Sequence, residues 1–171
     1  MSDGSMFKQP TTGGGAYLKL EEFEDCLVLF RPESIDQVPA YKKPGEFTDE
    51  VTAHWVAFGP DGEDVRDGAK FKGGTLVRAA KQAMKSADFP WVLGVLCKVP
   101  TKDTKETLKI EYTPEDYKAA RNAWLRGGGK GFEPKHAWTL AEFTDDQAER
   151  AGKYVTAYNA KANPFVGAPA E

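Results

Sequence analysis

Phe71-Lys-Gly-Gly-Thr-Leu-Val-Arg-Ala-Ala-Lys-Gln-Ala-Met-Lys85, followed after a short break by Trp91-Val-Leu-Gly-Val-Leu-Cys-Lys-Val-Pro100, is the stretch whose reading decides the fold. Leu76, Val77, Ala80, Ala83 and Met84 recur at helical spacing, while Arg78, Lys81, Gln82 and Lys85 fall outside that stripe. Gly73-Gly74 let the chain turn into the helix, and Thr75 can cap its start. Beyond Phe89-Pro90, the residues Val92, Leu93, Val95 and Leu96 favour a strand. Gly94 within that run allows a bend or a close approach of backbone. The reading is therefore one short amphipathic helix set between strands.

Upstream, Cys26-Leu-Val-Leu-Phe30 is a continuous apolar run ending in Arg31-Pro32, which predicts a central first strand with a proline stop. A loop over Pro32–Glu46 follows, with Pro39, Pro44 and Gly45 around Tyr41-Lys42-Lys43. A second strand is expected over Glu46–Phe58, with Val51, Ala53, Trp55 and Ala57 on one parity and Thr52, His54, Val56 and Phe58 on the other. Gly59-Pro-Asp-Gly62 is a turn signal with a hairpin partner in Glu63–Lys72, and Asp67-Gly68 marks a further turn or bulge.

Downstream, residues 101–134 read as an insertion. It comprises a polar turn, a short strand in which Leu108, Ile110 and Tyr112 alternate, and a helix opened by Thr113-Pro114-Glu115-Asp116. That helix stops at Gly127-Gly-Gly129. Lys135–Phe143 supplies a last strand, and Thr144-Asp-Asp-Gln147 opens a C-terminal helix over about 145–159. The order predicts a mainly β (α+β) domain over 16–158: a five-stranded OB-fold Greek-key barrel with one helix between strands three and four. Residues 1–15 and 160–171 read as a flexible arm and tail.

At 171 residues the chain can bury a single core. No apolar run approaches the ~20 residues that cross a bilayer, and no secretory h-region opens the chain. A cytoplasmic protein without disulfides is expected, with Cys26 and Cys97 as reduced core residues. Net charge is −3, yet residues 70–135 hold 14 Lys/Arg against 7 Asp/Glu, which suits either one basic face or scattered solvated charge. Arg126-Gly-Gly-Gly-Lys130-Gly-Phe132 lacks the order of a Walker loop and reads as a flexible loop, with phosphate contact as the sharper alternative. His54 and His136 lack an obvious nucleophile-and-acid partner, so no catalytic residue, metal or cofactor is expected. Glu21, Glu22, Glu24 and Asp25 read as a solvated acidic turn in preference to a Mg²⁺ site.

The landmarks Leu29-Phe-Arg-Pro-Glu33, Gly59-Pro-Asp-Gly62, Phe71–Lys85, Val92-Leu-Gly-Val-Leu96 and Trp138-Thr-Leu140 follow one another over about residues 16–158. In that order they resemble a family of OB-fold proteins encoded by phages of actinobacteria, described as single-stranded-DNA-binding or related to such proteins. The resemblance implies sequence-tolerant binding of single-stranded DNA in phage replication or recombination, inside the host cytoplasm. Such binding stacks bases on rings and lays phosphates along cations. The residues expected to carry it are Trp55, Phe58 and Phe71 with Lys70 and Lys72; Tyr41, Lys42 and Lys43 from the first loop; Lys98, Lys102 and Lys105 beyond strand four; and Arg126 and Lys130 of the glycine loop. Trp91, Trp124 and Trp138 are assigned to packing. The other reading is an OB-like adapter that binds a replication protein and no DNA, with Pro164-Phe165 as a recruitment peptide and self-association open.

Overall fold

Leu27-Val-Leu-Phe30 lies in the middle of the sheet because both of its faces have a partner to bury against. Val28 and Phe30 enter one core cluster, and Leu27 and Leu29 enter another. The computed structural model describes residues 17–162, so the expected arm over 1–15 and the Pro164-Phe165 peptide lie outside the described residues. In chain order the elements are β1 (Leu27–Pro39), β2 (Phe47–Gly59), β3 (Gly62–Phe71), α1 (Gly74–Met84), β4 (Val92–Pro100), α2 (Lys102–Leu108), α3 (Pro114–Arg126), β5 (His136–Ala141) and α4 (Asp145–Ala162). A 3₁₀ turn over Leu20–Phe23 precedes β1. The strands form one antiparallel sheet in the order β3-β2-β1-β4-β5, curled into a half-barrel.

Inside the curl, Phe30, Trp55 and Phe71 pack ring to ring. Phe30 and Trp55 are stacked at 5.6 Å between centroids, and Phe71 stands edge-on to both. Leu76, Val77 and Ala80 of α1 close this core from the open side, as the helical stripe predicts. Met84, expected in that stripe, is instead 44% exposed at the helix end. Thr75 does not cap α1: the N-cap position is Gly73, at φ 134°, where a side chain would be strained. On the outer face α4 lays Ala151 and Val155 over Leu27, Leu29, Val56 and Phe58, with Trp91 beside them. This explains why β2 is apolar on both parities, a pattern of strands buried on both sides.

Three sequence expectations are corrected by the pairing. Pro32 does not stop β1, which runs on to Pro39 against β2 through a bulge between Pro32 and Ser34. Its β4 neighbour ends at Phe30, and a strand with one free side tolerates a residue that has no N–H. The expected strand over Leu108–Tyr112 is absent: α2 occupies Lys102–Leu108, capped by the Thr101 hydroxyl on the Thr104 amide, and Lys109 ends it in the left-handed conformation. Finally, β5 pairs with β4 alone among the described residues, so it does not close a barrel onto β3. The Asp67-Gly68 bulge is present, with Gly68 at φ 64° and Ala53/Trp55 facing Ala69/Arg66. Thr113 caps α3 with Pro114 in the first turn. Thr144 and Gln147 form a reciprocal capping box at α4.

Candidate nucleic-acid interface

The far halves of β1 and β2 build an arm. Val51 faces Phe71, the last residue of β3, and the pairs Val38↔Thr48 and Pro39↔Phe47 continue beyond it. At about 3.4 Å per residue, the four steps from Val51 to Phe47 carry the arm ~14 Å past the end of β3. The tip over 40–46 is pinned by Ala40 N–H to Glu46 O at 2.9 Å and Glu46 N–H to Lys43 O at 3.0 Å. Lys42 and Gly45 both take positive φ there. Tyr41 is 81% exposed and Phe47 64% exposed. Lys42 Nζ lies 5.2 Å from the centre of the Tyr41 ring, covering one face and leaving the other open.

At the base of the arm, buried Glu50 accepts the Tyr17 hydroxyl and lies 3.6 Å from Lys70 Nζ. A buried carboxylate requires such partners. Donating to Glu50 raises the Tyr17 phenol above its ordinary pKa, with burial and the carboxylate's charge acting the same way. Tyr17 also forms a parallel bridge with Lys70 on the edge of β3, and Lys72 Nζ sits 5.6 Å from its ring centre. On the other side of the arm, alternation puts Phe47, Asp49 and Val51 on one face. There Asp49 meets Lys81 of α1 at 2.7 Å.

The structure separates the expected site residues. Tyr41, Lys42 and Lys43 stand together and exposed at the arm tip. Trp55 (0% exposed), Phe58 (6%) and Phe71 (2%) cannot stack on a base: Trp55 and Phe71 fill the inner core, and Phe58 lies under α4. Lys70 is held by Glu50. Lys98, only 19% exposed, is held by Glu24 at 3.6 Å and rests on the Trp138 ring. Lys102 and Lys105 are exposed on α2, and Arg126 and Lys130 at the end of α3. These four belong to the α2–α3 segment, which Lys118 ties to Asp25, just ahead of β1 and at the opposite end of that strand from the arm. The glycine loop wraps Trp124, whose ring lies 3.5 Å from where a Cβ on Gly129 would stand. Arg121 covers the same ring and binds Glu133 at 2.8 Å.

Phe47 and the row Arg78, Lys81, Lys85 were absent from the expected site. The helical pattern did put those cations outside the buried stripe, but nothing local shows that α1 lies against the arm. His54 also gains partners that spacing does not reveal: Asp67 accepts its Nδ1–H, and its Nε2 lies 2.7 Å from the Tyr154 hydroxyl. Burial, then the nearby Asp67, raises the Tyr154 pKa. The contact fastens α4 to β2 and β3. No group of three or more His, Cys, Asp or Glu among the described residues could hold a metal ion. Nor is any described helix long and apolar enough to cross a membrane.

No family model, curated protein or solved structure matches the chain.

Proposed function

We propose that this chain binds single-stranded DNA without strong sequence preference, as a non-enzymatic protein of the OB type akin to the actinobacteriophage family it resembles. The observation that carries the reading is the arm, where two exposed rings, Tyr41 and Phe47, stand with Lys42 and Lys43 beyond the body of the sheet. Rings with an open face accept any base, and adjacent ammonium groups accept the phosphates between them. Sheet order supports the OB reading: β1 lies between β2 and β4, and pairing the two outer strands, β3 and β5, would complete the barrel. The arm is the loop between the first two strands, one of the loops with which OB folds bind oligonucleotides.

Fluorescence anisotropy of labelled oligothymidylate across a salt series tests this. Binding should weaken steeply with salt. Tyr41→Ala and Phe47→Ala should each cost about 1–3 kcal/mol, the range for one lost base stack. A second reading, the protein adapter, draws support from Lys70, Lys81 and Lys98, each of which faces an acid of its own chain. Absence of any shift at low salt with a folded protein selects the adapter.

A further inference from the structure

We infer that the DNA path leaves the arm and continues across the outer face of α1, with Arg78 and Lys85 as phosphate contacts, Lys81 joining the helix to the arm through Asp49, and Phe89 as a terminal stacking ring. This rests on the single-stranded-DNA reading and extends its footprint to a helix not expected to touch the ligand. The Lys81–Asp49 contact joins α1 to the arm face that carries Phe47, so the exposed ring and the cations share one continuous surface. Arg78, Lys81, Gln82, Lys85 and Ser86 line a single shallow depression there. From Gly74 to Lys85 the chain has three cations and no acid.

Positions 78, 81, 82 and 85 share one helix face. At 1.5 Å per residue, Arg78 to Lys85 spans ~10 Å, the length of about three base steps of a stacked strand at ~3.4 Å of rise each. At the far rim the Phe89 amide donates to Ser86 Oγ at 3.2 Å, and the Phe89 ring is 52% exposed. Among the described residues Asp49 is the acid paired with this track, and exposed Asp88 and Glu46 flank Phe89 and Phe47 in sequence.

The test uses the full chain with two labelled oligothymidylates, one of about six nucleotides, within the range of a single OB-fold site, and one of about twenty, longer than it. Arg78→Gln/Lys85→Gln removes two exposed charges on a helix whose buried stripe is untouched; its circular dichroism should match wild type. The track predicts that the double variant flattens the log–log salt slope on the long strand by about 1.4, at ~0.7 per lost phosphate contact, and leaves the short strand unchanged. Equal slopes on the long strand, with Tyr41→Ala still weakening both lengths, would remove the α1 track and keep the arm. The cations at the end of α1 would then serve only its dipole. Failure of wild type to bind either length at low salt overturns both readings.

Discussion

Gly94→Ala tests the packing that holds β5 to the rest of the sheet. Gly94 lies in β4 opposite Val28, and Leu140 of β5 folds across it. A Cβ at this position would stand 2.7 Å from Leu140 Cβ, 3.3 Å from Leu140 Cγ and 3.3 Å from the Ala141 carbonyl oxygen. Carbon atoms pack at roughly 3.5–4.0 Å, so the closest pair is too near by about 1 Å. The obstructing atom is itself a Cβ, fixed to the backbone, and no rotamer of Leu140 removes it. β5 must therefore shift. Forced overpacking of this kind costs typically 1–3 kcal/mol. The unfolded chain loses freedom when glycine becomes alanine, which returns about 0.4–1 kcal/mol. A net loss near 1–2 kcal/mol remains, or a fall in Tm of about 2–8 °C for a chain of this size. Urea unfolding followed by tryptophan fluorescence measures it directly. Leu140→Ala keeps the offending Cβ, so adding it should not relieve the clash. An alanine variant as stable as wild type, or more so, would show that Leu140 does not lie over Gly94 as described.

Two further outcomes follow from the same placements. Trp55→Ala should cost about 3–5 kcal/mol of stability, the range for deleting a buried aromatic, while oligonucleotide affinity per folded molecule stays at the wild-type value; a selective loss of binding would return Trp55 to the site. The His136 pKa is lowered, chiefly by burial and then by Lys98, with Arg121 adding and Glu21 and Glu24 opposing. Its neutral Nδ1 lies 3.3 Å from the Tyr117 hydroxyl. Because the folded value lies below the unfolded one, the stabilisation is complete above pH ~6.5 and declines as pH falls through the window beneath it. Urea midpoints at pH 7.5 and pH 5 should differ more for wild type than for His136→Gln, and an equal difference would remove the histidine from that dependence.

Most of the framework was legible because it rests on local periodicity. The α1 stripe, the Gly59–Gly62 turn, the Asp67-Gly68 bulge and the caps at Thr113 and Thr144 each follow from a few adjacent residues. Alternation in β2 separated Trp55 from Phe58, but it could not say which face was covered. In fact α1 covers one and α4 the other. Pro32 read as a stop because the missing β4 neighbour beyond Phe30 is a long-range fact. The helix α2 was hidden in a polar run whose one local signal was Thr101. There Thr104, fully buried, accepts the Lys135 amide at 2.9 Å and ties α2 to the start of β5. Charge pairing was the least legible of all, since Lys98 and Glu24 meet across 74 positions of sequence.

The same burial limits where a nucleic acid could lie. Inside the curl, α1 and the Phe30–Trp55–Phe71 stack fill the space; outside, α4 covers Leu27 and Leu29 of β1 and Val56 and Phe58 of β2. The exposed stretch of β3 carries Glu63, Asp64 and Asp67, with Arg66 bound at 2.7 Å to Asp64, so a phosphate chain meets repulsion there. The cations of the α2–α3 segment stand at the other end of β1 from the arm, beside the exposed rings of Tyr112 and Phe132. The arm tip, the Phe47 face and the outer row of α1 set exposed rings beside cations, with Lys81 and Asp49 joining arm and helix. A sheet-face binder would have kept its β2 and β3 rings exposed. In this chain those rings form the core, and the exposed rings of Tyr41 and Phe47 stand on the hairpin that outruns the sheet.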